Sequence, residues 1–150
     1  MNRFKNLFLA FVITFGMSAC DSSQETQLKE SESCPQCNMK LPASHLHTSM
    51  LTVNGDVNYF DDIGCMILWA DKKGIELEKV EVKMFTNDTK KYLDAKNLFY
   101  SINETTPMHY GFAAYEHKQE GTITYHEVIL RMLRGEHMAN LKIRKHILGN

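Results

Sequence analysis

The sequence predicts an α+β fold: two small β-β-α-β-like halves with antiparallel strands, preceded by a signal peptide and a flexible tether. Three observations predict it. Short stretches in which apolar and polar residues alternate outnumber the helical stripes. The pair Asn54-Gly55, between two such stretches, is the strongest short hairpin signal a sequence can hold. Apolar positions at helical spacing recur once in each half, over Ile63 to Ala70 and over Val128 to Leu133.

The first 19 of the 150 residues read as an export leader. Arg3 and Lys5 give a charged start, Leu7 to Met17 an apolar stretch, and Met17-Ser18-Ala19 a small-residue cleavage site. That stretch is well short of the roughly 20 residues a helix needs to cross a bilayer. Cys20 follows directly, in an arrangement that resembles the bacterial lipobox, which makes Cys20 the expected lipid anchor. Residues 20–33 hold one large apolar residue, Leu28, and so read as a tether that cannot order itself by burial.

One folded domain is expected over 34–135, in halves of about 34–88 and 89–135. His45 to Val53 and Asp56 to Phe60 form the hairpin. Asp61 or Asp62 caps a helix carrying Ile63, Met66, Ile67 and Ala70, and Gly74 closes it. Val80, Val82 and Met84 alternate with Glu81, Lys83 and Phe85 as a half-buried strand. In the second half, Asn97 to Ile102, Gly111 to Tyr115 and Thr122 to Tyr125 are strands, and Val128, Ile129, Met132 and Leu133 mark a helix ending at Gly135. Residues 136–150 are a basic tail with Lys142, Arg144 and Lys145, in which Met138, Leu141 and Leu148 share a helical face; a frayed terminal helix is the plainer reading and contact with anionic lipid the sharper one.

Seventeen Lys and Arg stand against 18 Asp and Glu, and two of the cations leave with the leader, so nucleic acid is not an expected partner. Beyond Cys20 the chain has three cysteines, Cys34, Cys37 and Cys65, a number that cannot all pair within one molecule. Cys34-Pro35-Gln36-Cys37-Asn38-Met39 packs two thiols and a thioether into six residues, a soft donor set that suits Cu(I). Cys65-Met66 and the loop Thr105-Thr106-Pro107-Met108-His109 are the other sulfur-bearing places. Met108, in a polar loop, is expected to bury little, and His109 offers a nitrogen beside it. Plainer readings stand next to these: a Cys34-Cys37 disulfide, Cys65 as core packing, and His45 and His47 as polar positions on one side of a strand. Pro42 stops a helix from following the C-x-x-C pair, which disfavours dithiol catalysis. Structural zinc has Cys34, Cys37, Cys65 and a histidine to draw on but lacks a second paired spacing.

Taken in order, the lipobox, Cys37-Asn38-Met39, Tyr59-Phe60-Asp61-Asp62-Ile63-Gly64-Cys65-Met66 and Thr106-Pro107-Met108-His109-Tyr110-Gly111-Phe112-Ala113-Ala114-Tyr115 resemble the NosL family, from the lipobox to about Gly135. The family's Cys-Gly-Met motif falls on Cys37-Asn38-Met39 and its Pro-Met-Gly motif on Pro107-Met108-His109, with Asn38 and His109 in the glycine places. NosL proteins are copper accessory lipoproteins of nitrous-oxide reductase. The resemblance therefore implies a membrane-anchored lipoprotein facing the periplasm that carries Cu(I) to the reductase or its assembly factors and is not an enzyme. It implies one Cu(I) on Cys37, Met39 and Met108, with Cys34 and His109 as extra candidates, and Asp21 after the lipidated cysteine favours the inner membrane. The helix that the family usually places after the strand ending at Tyr115 is lost or shortened here. The competing classes are an exported thiol-disulfide oxidoreductase using Cys34 and Cys37, and a metal-free lipoprotein interaction module.

Overall fold

The computed structural model describes residues 33–149; the leader, Cys20 and nearly all of the tether lie outside the described residues. Asn54 and Gly55 both take positive φ, 53° and 88°, the geometry of a two-residue turn whose twist matches its flanking strands. They join β1 (Ser49–Val53) to β2 (Asp56–Phe60), with Val53 opposite Asp56 and Ser49 opposite Phe60. The chain then enters α1 (Ile63–Lys72) and returns as β3 (Glu81–Phe85), antiparallel to the other side of β1. The β-β-α-β order read from the first half is present.

Two local expectations shift. The strand expected from His45 starts only at Ser49, because His45 and His47 both adopt left-handed φ, 59° and 67°, which a strand cannot contain. The two histidines therefore do not share one side of a strand. A fourth strand, β4 (Tyr92–Asp94), pairs with β3 and completes a sheet in the order β2-β1-β3-β4. Three residues after a charged Lys90-Lys91 pair give no periodicity to detect. What places β4 is the turn at Thr86, whose N–H donates to the Lys91 carbonyl at 2.9 Å and whose hydroxyl accepts from the Lys91 N–H at 3.2 Å.

The second sheet is smaller. β5 (Phe99–Ser101) lies between β6 (Ala113–Tyr115) and β7 (Ile123–Thr124), all antiparallel. Residues 116–121 between β6 and β7 form bends and turns with no helix. The strand expected over Thr122 to Tyr125 is cut short because Thr124 caps α2 (Tyr125–Arg134): its hydroxyl accepts from the Glu127 N–H at 3.3 Å, the Thr-x-x-Glu signature of a helix start. Gly135, at φ 72°, ends that helix as expected. The tail forms α3 (Leu141–Leu148), capped by the Asn140 side chain and with no buried residue.

Burial follows the patterns that the sequence shows. Leu51 of β1 faces Val82 of β3, and both are buried with Met84 under Ile63, Met66, Ile67 and Ala70 of α1. The same core continues into Tyr100, Phe112, Ala114, Tyr125, Val128 and Met132, so the two sheets share one apolar interior and α1 packs on α2 across it.

One close approach fixes the start of α1 against the second half. A Cβ added at Gly64 would stand 2.8 Å from Cγ of Tyr110, near the base of a ring that cannot simply swing aside. Gly64→Ala is expected to lose about 1–3 kcal/mol of stability by overpacking. In urea unfolding, a Gly64→Ala/Tyr110→Ala pair should lose less than the sum of the two single changes. Additive losses would show that the ring is not the obstacle.

Candidate metal centre

Cys34 to Met39 form a closed turn. The Cys34 N–H donates to the Met39 carbonyl at 2.8 Å, the Asn38 N–H donates to the Cys34 carbonyl at 2.8 Å, and Asn38 takes φ 62°. The turn carries Cys34 into the core, 1 % exposed, and leaves Cys37 half-buried above it.

The start of α1 meets this turn. The two acids preceding the helix divide their work. Asp62 is the N-cap: its Oδ1 accepts from the Gly64 N–H at 2.9 Å and its Oδ2 from the Met108 N–H at 3.3 Å. Asp61 points the other way, and the Cys37 thiol donates to its two oxygens at 3.3 and 3.2 Å. Cys65, in the first turn of α1, is fully buried, with its sulfur near that of Cys34. The four donor atoms of Cys34, Cys37, Asp61 and Cys65 all lie within 4.8 Å of one another. Donors shared by one tetrahedral ion at a metal–sulfur distance of about 2.3 Å lie about 3.8 Å apart, so small side-chain rotations would close this set on a metal. The three cysteines are free thiols.

Charge is unevenly divided among them. The hydrogen bond from Cys65 holds the Cys34 thiol down to about 6, against the opposing effect of burial. That same bond, with burial, holds Cys65 far above the ordinary thiol range. Burial pushes Cys37 up to about 12, and the Asp61 carboxylate acts in the same direction. Of the three thiols, Cys34 is thus the most readily ionised and Cys65 the least, while Cys37 rests on the Asp61 carboxylate.

The other expected ligands are placed less uniformly. Met39 ends the cysteine turn and is 45 % exposed, whereas Met66 is fully buried among apolar side chains of the core. Met108 does not sit free in a polar loop: it is half-buried against the core, and its N–H is fixed on Asp62. His109 is exposed at φ 58°, its N–H donating to the Thr106 carbonyl at 2.9 Å. The Thr106 to Gly111 loop therefore meets the same end of α1 as the cysteine turn. Of the remaining histidines, His45 lies edge-on to Tyr92 with ring centroids 5.9 Å apart, and His137 lies edge-on to Tyr110 at 4.9 Å.

Two participants were not expected. The sequence offers Asp61 as an alternative cap, yet a helix start has use for one cap, and a doubled acid leaves the other side chain free for different work. Tyr110 covers Gly64; burial raises its hydroxyl to about 12, and the nearby Asp62 and Asp61 carboxylates act in the same direction.

Compared with protein-family profiles, curated proteins and solved structures, the chain finds no match.

Asp62 yields a test of its own. Burial raises its carboxyl from 3.8 to about 6. The folded protein then holds a proton that the unfolded chain has already released, so Asp62 contributes stability that is full below the ordinary pKa and is lost as pH rises through about 6. Asp62→Asn, which keeps a capping oxygen, should remove this component from the urea midpoint measured between pH 4 and pH 7. A parent and variant whose midpoints move in parallel across that window would assign the slope elsewhere.

Proposed function

We propose that this chain is a lipid-anchored, periplasm-facing carrier of Cu(I), of the NosL kind, that delivers its ion to nitrous-oxide reductase or to the factors that assemble it. The observation that carries the reading is the convergence of three thiols on one point, Cys34, Cys37 and Cys65, with Asp61 beside them. Thiolate sulfur selects soft ions, and a buried sulfur cluster with an exposed methionine at its lip, Met39, suits an ion that must enter and leave. The two glycine positions of the family motifs add support. Asn38 and His109 both stand at left-handed φ, 62° and 58°, the conformation for which glycine is the usual choice. Anchoring at Cys20 and the orientation implied by Asp21 belong to the same proposal.

The ion is cargo. Its binding requires thiol protons to leave, most readily from Cys34, whose thiol is held below its ordinary range; a bound cation reverses the local preference for the protonated thiols. Binding should therefore release protons and strengthen as pH rises from 6 to 8. The C-x-x-C pair lies in a turn rather than at a helix start, and Cys34 is closed off from solvent, which supports ion binding over dithiol exchange. Asp61 gives a second reading a specific footing: three sulfurs and a carboxylate are also a four-donor set for Zn(II).

Anaerobic titration of the reduced protein against chromophoric chelators decides between the metals. One Cu(I) per chain is expected. Cys65→Ser should weaken it by more than the roughly 10–100-fold typical of outer-shell changes, and Met108→Ala by a smaller factor. Asp61→Asn should leave Cu(I) nearly unchanged, because a hard oxygen adds little to a soft ion. Tight Zn(II) binding that Asp61→Asn abolishes, with Cu(I) held no better than by free cysteine, would replace the copper reading with the zinc one.

A further inference from the structure

The tail helix α3 is built in an unusual sense. Along an α-helix each residue turns about 100°, which places Leu148, Leu141, Lys145, Lys142 and His146 on one continuous arc. All five are exposed, Leu141 at 62 % and Leu148 at 48 %, while Ile143, Arg144 and Ile147 form the half-buried side. The outward face of the helix is therefore a pair of leucines bordered by lysines. Both of its ends are capped: the Asn140 side chain accepts from the Lys142 N–H at 3.1 Å, and Gly149, at φ 72°, closes the end.

Charge singles out the same segment. Residues 137–150 contain no Asp or Glu, so Lys142, Arg144 and Lys145 have no acidic neighbour in that segment, in a chain whose net charge is −1. Short exposed apolar residues framed by cations match the boundary of an anionic bilayer, where leucine enters the acyl edge and lysine meets phosphate. A second copy of the chain fits worse. An eight-residue helix offers far less than the about 800 Å² per partner of a stable interface, and two such faces repel each other.

We infer that α3 is an interfacial helix that lies on an anionic lipid surface, with Leu141 and Leu148 entering the headgroup boundary and Lys142 and Lys145 against lipid phosphates. This is independent of which metal the cysteine cluster binds.

The test is flotation of the full chain with vesicles of phosphatidylglycerol mixed with phosphatidylcholine, compared with phosphatidylcholine alone. An apolar leader or acyl anchor enters both vesicle types, so the tail is read as the difference. Each of Lys142→Gln and Lys145→Gln should lower that difference about fivefold, and added salt should do the same. Leu141→Ser/Leu148→Ser should lower it on the order of tenfold. An indole introduced by Leu148→Trp should shift its emission to the blue on the anionic vesicles and not on the neutral ones, a readout that a saturating anchor does not mask. All these positions are exposed, so folding is preserved, and unchanged far-ultraviolet dichroism checks it. Equal partitioning onto both vesicle types, with no emission change, overturns the proposal. So does concentration-dependent self-association that the leucine changes abolish, which would make α3 a contact between copies.

Discussion

A carboxylate with no exposed surface must find its hydrogen bonds inside the protein, and Asp62 finds them in two segments at once. One oxygen accepts from Gly64 and so starts α1; the other accepts from Met108 and so brings in a loop 46 residues further along the chain. Loss of this side chain would strand the buried Gly64 N–H, at about 1–3 kcal/mol of desolvation, and would release the part-buried Met108 N–H. The end of α1 where three loops meet is therefore set by one residue. Asp61, its neighbour, gains its direction from the same constraint: with Asp62 turned inward to cap, the preceding side chain faces the cysteine turn.

That arrangement explains why three thiols can share a small volume without forming a packed apolar cluster. Cys34 comes from a turn and Cys65 from the first turn of a helix, and their sulfurs lie within 4.8 Å of each other. Cys37 is held by Asp61. The Cys37–Asp61 contact is one that a metal could replace, and the four donor atoms are spaced only slightly wider than one ion would hold them.

Much of this architecture was legible as pattern. Asn54-Gly55 announced its hairpin, the Ile63 to Ala70 stripe its helix, and Val82 and Met84 their buried face, because each is a local rule satisfied by adjacent residues. The misses have one character. β4 is three residues long and is placed by a side-chain turn at Thr86; the late start of β1 follows from left-handed φ at His45 and His47; and Tyr125 passes from strand to helix because Thr124 caps. None of these leaves a periodic trace. The same holds at the candidate metal centre. Cys34 and Cys37 are evident as a pair. Cys65 reads as core, which it also is, since its sulfur is buried; the two cysteines it meets lie 28 and 31 residues earlier. Asp61 was hidden by the equivalence of two adjacent acids, which only the fold breaks.

The site and the tail are also joined, through Tyr110. Its ring covers Gly64 at the start of α1, and its carbonyl accepts from the Met138 N–H at 3.0 Å. Met138 in turn lies against Gly111, and His137 rests edge-on against the same tyrosine ring. The residues leading into α3 thus pack directly on the loop that meets Asp62, and Asn140, fixed to the Gly135 carbonyl at 3.0 Å, leaves little slack before the helix begins. An expected tail face of Met138, Leu141 and Leu148 is split by this packing: Met138 belongs to the domain, and only the two leucines remain outside. Whatever α3 rests upon therefore fixes the orientation of the cysteine cluster relative to that support, since a loop braced at Asp62 and a helix braced at Asn140 allow the two ends little independent rotation.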